Sequence, residues 1–163
     1  MKLELKQIFE LVGERLPIEY DVDLSDYELY NTKPFATPVH VTGEVFNEAG
    51  VVQISYTVRF TLKLPCDRCL DIFTRDYEYS FQEILVNEEN PENDEYIPVP
   101  GCLLELDDLV LSDVLLSLPA KQLCREDCKG LCPKCGVNWN HETCQCSQKE
   151  VDPRLAVLGE LLK

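Results

Sequence analysis

Nine cysteines stand at positions 66, 69, 102, 124, 128, 132, 135, 144 and 146. Thiols can bind metal, form disulfides or act as nucleophiles, and their spacing narrows the choice. Cys132-Pro-Lys-Cys135-Gly136 is a knuckle: two intervening residues let both sulfurs reach one ion, and the glycine lets the backbone turn back with its amides aimed at them. Eight residues further on, Cys144-Gln-Cys146 offers two more ligands, which completes a four-thiolate site. A variant of this site would exchange one cysteine for His141. The segment is polar, and without a metal little would hold it together.

Cys66-Asp-Arg-Cys69 and Cys124-x3-Cys128 are two close pairs, each without partners of its own. Combined, they make a second four-thiolate site, with Cys124 and Cys128 expected on one face of a helical turn. Such a site would tie the connection at 66–69 to the segment after Pro119. In the plainer reading, Cys66 and Cys69 form a bare turn and Cys124 and Cys128 are small buried residues. Cys102, between Gly101 and Leu103, is expected to serve as a small hydrophobe. The spacing therefore predicts two zinc ions with four cysteines each, although four thiolates also suit iron. Filling both sites would take the formal charge from −15 to about −19.

The elements that must position these pairs are mostly strands. Val52, Ile54, Tyr56, Val58, Phe60, Leu62 and Leu64 alternate with polar residues, the pattern of a long half-buried strand. Val39, Val41 and Val45 mark its partner, and Asn47-Glu48-Ala49-Gly50 mark the turn between them. Another strand is expected over Ile72–Val86, so Cys66 and Cys69 lie between strands. Upstream, a short strand at Lys2–Leu5, a helical turn at Lys6–Val12 and extended chain at Ile18–Leu24 are expected. Residues 87–100 read as a solvated loop. Asp107 is placed to cap a helix reaching about Leu118. A last helix would start with Asp152 as N-cap and Pro153 at the first position, presenting Leu155, Leu158, Leu161 and Leu162. The expected class is α+β: a mainly antiparallel β-sheet body over 1–118, then a zinc-ribbon-like cysteine module with a C-terminal helix over 119–163.

The charge divides at the same point. Residues 1–118 carry 8 basic and 24 acidic side chains, and residues 119–163 carry 7 and 6. The body would repel a phosphate backbone, so nucleic acid is expected to meet only the tail. Arg125, Lys129, Lys134 and Trp139 are the expected contacts there, with Lys121, Asn138 and Asn140 beside them. Trp139 could stack on a base or pack over its own metal site. No apolar run is long enough to span a bilayer, and the N-terminus does not read as an export signal. A cytoplasmic location follows as the expectation, and reduced thiols there favour metal over disulfides.

In order along the chain come Pro65-Cys66-Asp67-Arg68-Cys69-Leu70, Leu118-Pro119, the run CKGLCPKCG at 128–136 with Cys144-Gln145-Cys146, and Asp152-Pro153-Arg154-Leu155. Together these resemble the YceD family of bacterial and chloroplast proteins, over roughly residues 35–160. The resemblance implies a part in synthesis, processing or accumulation of 23S ribosomal RNA, with a large-subunit ribosomal protein or precursor RNA as partner. It carries no catalytic residues.

A non-enzymatic assembly factor is therefore the favoured reading, with no small-molecule substrate. His40 and His141 are the only histidines, and there is no H-E-x-x-H, nucleophile elbow or phosphate-binding glycine loop. The alternative is a thiol–disulfide redox protein built on Cys66 and Cys69, or a zinc-based redox switch. Asp67 would raise the thiol pKa, which counts against the former.

Overall fold

The computed structural model describes residues 1–29, 31–87 and 96–146. Its elements are β1 (Lys2–Glu4), α1 (Lys6–Glu10), β2 (Arg15–Val22), β3 (Val39–Glu48), β4 (Val51–Pro65), β5 (Ile72–Val86), β6 (Ile97–Pro98), a 3-10 turn (Pro100–Cys102), β7 (Leu103–Glu105) and α2 (Leu106–Ser117). Strands dominate, as the alternating sequence requires. The expected C-terminal helix at 152–162 and most of the acidic loop lie outside the described residues.

The main sheet has the order β2-β3-β4-β5-β6, and β1 pairs with β7 in a separate ribbon. β2–β3, β3–β4 and β1–β7 are antiparallel, whereas the short β6 runs parallel to β5. β3 and β4 are joined by Ala49-Gly50, both at positive φ (54° and 89°), the handedness that suits a tight hairpin. Asn47 steadies this turn: its Oδ1 accepts from the Gly50 N–H at 3.0 Å, and its Nδ2 donates to the Ile8 carbonyl at 2.7 Å. Gly43 faces Tyr56 across the ladder. A Cβ there would fall 2.2 Å from the Ser55 oxygen, so only glycine fits.

The alternation in β4 is borne out residue by residue. Val52, Ile54, Tyr56, Val58, Phe60, Leu62 and Leu64 are buried in the core with Val39, Val41 and Val45 of β3 and Leu106, Val110 and Val114 of α2. Each large apolar side chain buried in this way contributes about 1.5–3 kcal/mol. On the opposite face, Thr57–Ser80, Arg59–Glu78 and Thr61–Asp76 join β4 to β5.

Some local expectations differ. α2 begins at Leu106, and its cap position, Glu105, makes no side-chain cap bond. Asp107 lies inside the first turn, where its carboxylate takes the N-terminal ammonium of Met1. Negative charge in the first turn of a helix is favourable without capping it. Cys102 sits at a φ of 59° in a tight turn after Gly101, and its thiol donates to Asn87 Oδ1 at 3.4 Å. It is a half-exposed turn residue, not a packed hydrophobe.

Two compact units emerge. One comprises Met1–Leu64 with Ile72–Gln122, and the other comprises Pro65–Asp71 with Leu123–Lys163. The connection between β4 and β5 thus belongs with the cysteine-rich end of the chain. Among the described residues no helix is long and apolar enough to cross a membrane.

Candidate metal centre

Two quartets of cysteines gather within the second unit. Cys66, Cys69, Cys124 and Cys128 form one, and Cys132, Cys135, Cys144 and Cys146 form the other. Within each quartet all four sulfurs lie inside 4.8 Å of one another. His141 belongs to neither; its Nε2 faces the Asp71 carboxylate at 3.0 Å.

In the first quartet, Cys66 and Cys69 sit on a knuckle closed by the Leu70 N–H to the Cys66 carbonyl (2.9 Å) and the Cys66 N–H to the Asp71 carbonyl (2.9 Å). The Arg68 N–H points at Cys66 Sγ from 3.5 Å. Leu70 holds a φ of 63°, the left-handed conformation needed to leave the turn. Cys124 and Cys128 converge without the expected helix: a turn closed by the Cys128 N–H to the Arg125 carbonyl (3.2 Å) brings them together. Arg68 clasps this turn, donating from Nη1 to the Cys128 carbonyl at 2.9 Å, and its own carbonyl accepts from the Leu131 N–H at 3.1 Å. A side chain at Gly130 would press on the Arg68 carbonyl.

The second quartet repeats the knuckle. The Gly136 N–H bonds the Cys132 carbonyl at 2.9 Å, the Cys132 N–H bonds the Val137 carbonyl at 2.8 Å, and Gly136 carries the positive φ (75°). Cys144 and Cys146 arrive from the far side of the loop. Trp139 closes that loop, donating from its indole N–H to Cys144 Sγ at 3.3 Å.

The distances fit a metal. Sulfur pairs in the first quartet stand 3.8 Å (Cys66–Cys128) and 3.7 Å (Cys69–Cys124) apart. A tetrahedral zinc with bonds of about 2.3 Å requires edges of about 3.8 Å. A disulfide requires about 2.05 Å, and all nine cysteines are free. Either quartet could hold one metal ion and would leave it no open position.

Electrostatics agree. Burial pushes the Cys66 thiol up, but backbone N–H groups of Cys124, Arg68 and Cys69 bring it down to about 6. The N–H groups of Cys135 and Lys134 likewise bring Cys132 to about 6. Cys69, Cys124, Cys135 and Cys146 go the other way. Burial raises Cys69 and Cys124, and the shared contact with Cys135 pushes Cys146 up to about 12. Within each quartet one cysteine is thus lowered by backbone N–H groups while close thiol neighbours are raised, a set that a bound cation would favour in the ionised form.

The surrounding polar side chains are largely committed. Asp71 accepts from Asn138 Nδ2 at 2.8 Å and from His141, and these partners, His141 first, hold its carboxyl below the ordinary range. Asn140 Oδ1 accepts from the Lys129 N–H (2.9 Å) and from Arg125 Nη2 (2.7 Å). Lys129 and Trp139 line an open depression of about 420 Å³ with Glu142, Thr143 and Cys144. Lys134 lies in the second knuckle. Sequence reasoning missed Arg68 and Asp71 as supports of the cysteines. Their place next to the Cys66–Cys69 pair was the available signal.

The described residues thus combine a strand-rich body with two groups of four cysteines, each of which could hold a metal ion. Over residues 54–162 the chain matches the family described as Large ribosomal RNA subunit accumulation protein YceD. The chain belongs to that family, and the matched range includes all eight clustered cysteines. It is 26% identical to the Bacillus subtilis protein YlbN over 167 residues, covering 100% of this chain and 97% of that one. It is 33% identical to Rv2926c of Mycobacterium tuberculosis over 116 residues, or 68% of this chain and 56% of the relative. An Arabidopsis thaliana protein, Large ribosomal RNA subunit accumulation protein YCED homolog 1, chloroplastic, is 25% identical over 170 residues, covering 85% of this chain and 51% of its own length. The chain thus spans only about half of the last two. No solved structure matches it.

Proposed function

We propose that this chain is a non-enzymatic factor that supports accumulation of large-subunit ribosomal RNA by binding a basic ribosomal protein, with precursor RNA contacted alongside it. Family membership over residues 54–162 is the observation that carries this reading. The charge balance supports the choice of partner: a chain at −15 attracts a basic protein and repels free RNA. Arg125, Lys129, Lys134 and Trp139 are the RNA contacts in this proposal. With Asn138 and Asn140 engaged internally, their amides are not free to read base edges. Zinc at both quartets holds the second unit in shape and takes part in no reaction.

Two measurements test the proposal. Depleting the protein from a bacterium that carries it should lower 23S relative to 16S ribosomal RNA, and an unchanged ratio would overturn the functional reading. Titrating the purified full chain at physiological salt against basic large-subunit proteins should give saturable binding. Tight, Trp139-dependent binding to 23S RNA alone, with none to the proteins, would reverse the choice of partner.

A further inference from the structure

The polar loop between Cys135 and Cys144 is part of the second quartet by sequence, yet it also touches the first. Asn140 Nδ2 donates to Cys128 Sγ at 3.3 Å and to Asn138 Oδ1 at 2.8 Å. Its Oδ1 accepts from the Lys129 N–H and from Arg125. Every donor and acceptor of this amide is thus satisfied, which fixes its orientation: the oxygen must face the two donors, so the nitrogen must face the sulfur. Asn138 and His141 of the same loop hold Asp71, two residues past Cys69. One residue before Asn140, Trp139 donates to Cys144 Sγ in the second quartet. A single short loop therefore donates hydrogen bonds to one sulfur of each quartet.

Resting on the reading that both quartets hold metal, we infer that Asn140 is a positioning residue that couples them, so that the chain takes up and releases two metal ions as one cooperative unit. Hydrogen bonds to ligand atoms from such supporting groups typically change metal affinity by about 10–100-fold. An ion at Cys132, Cys135, Cys144 and Cys146 pins both ends of the loop and so fixes Asn140 against Cys128. By linkage the first ion must favour the second by the same factor.

The test uses the full chain loaded with zinc and challenged with a chromophoric chelator. The wild type should release both ions in one phase. Asn140→Ala keeps all eight ligands and should release them in two phases, with the Cys66 quartet about tenfold weaker. In Cys144→Ser/Cys146→Ser the remaining quartet should also bind about tenfold more weakly, and Cys66→Ser/Cys69→Ser should weaken the other quartet by the same factor. Two independent phases in the wild type, or an Asn140→Ala protein that still releases both ions together, would overturn the coupling while leaving the metal reading intact. A native protein that contains no metal would overturn both, and metal analysis tells the two failures apart.

Discussion

The two quartets use one knuckle twice but place it in different surroundings. In the first, Cys66, Cys69 and Cys128 are buried, and the ligands come from segments 55 or more residues apart (Cys69 to Cys124). In the second, only Cys132 is buried, Cys135 is exposed, and all ligands fall within one short stretch. After the second cysteine the left-handed position is filled by glycine in one knuckle and by leucine in the other. Local spacing is thus enough to form a site, whereas the distant site is held by the packing around it.

Breaking the comparison at its strongest point means removing ligands. Cys66→Ser/Cys69→Ser should cost most of the folding free energy supplied by one ion, on the order of 10 kcal/mol. It should leave the stretch around Cys124 and Cys128 open to protease, whereas Cys144→Ser/Cys146→Ser should spare Cys66 and Cys69 from cleavage nearby. Limited proteolysis with mass mapping checks this difference. Equal patterns would mean that the two sites are equivalent.

Thiol reactivity gives the next largest contrast. Under a limiting alkylating agent, Cys135 should react first and Cys66 last, with rates at least about tenfold apart: Cys66 has the lower pKa, but it is fully buried and the reagent cannot reach it, whereas Cys135 is exposed. Peptide mapping over time reads the order, and early labelling of Cys66 would contradict it.

The knuckles themselves can be exchanged. Gly136→Leu should lower stability by about 1–2 kcal/mol, the usual cost of left-handed backbone in an L-residue. The converse change, Leu70→Gly, should raise stability by up to about 1 kcal/mol, because the Leu70 side chain is 64% exposed and gives up little packing. Thermal unfolding measures both, and a destabilised Leu70→Gly protein would show that the leucine packs more than its exposure implies.

Smallest of all, Trp139→Phe keeps an aromatic ring, though a smaller one, and removes the indole N–H that donates to Cys144. Zinc should leave the second quartet a few-fold faster, about the loss expected for one ordinary hydrogen bond of less than about 1 kcal/mol. An unchanged rate would assign Trp139 to packing alone.

Much of this was legible in the sequence, for identifiable reasons. Thiol ligands are few and their spacing is tightly constrained, so both quartets could be grouped from the positions of the cysteines. The period of two in Val52–Leu64 survives because one face of β4 is buried along its whole length. What escaped depended on distant partners. The turn at Arg125–Cys128 takes its shape from Arg68, which lies more than fifty residues earlier, so a helical spacing of four was misleading there. β6 and β7 are too short to show a period, and Asp107 meets a chain terminus that local capping rules do not see. Asn138 and Asn140 stood out as polar residues beside an aromatic, but the bonds of Asn140 to Cys128 Sγ and of Asn138 to Asp71 emerge only once both quartets are in place.

Because Pro65–Asp71 belongs to the same unit as the segment from Leu123 onward, that unit cannot be cut out as one continuous piece. A fragment beginning near residue 119 would carry a complete Cys132 quartet but only half of the other. On the ribosome the same arrangement imposes a delay. Cys66 and Cys69 are synthesised more than fifty residues before Cys124 and Cys128, and until the later pair is made their quartet is half complete.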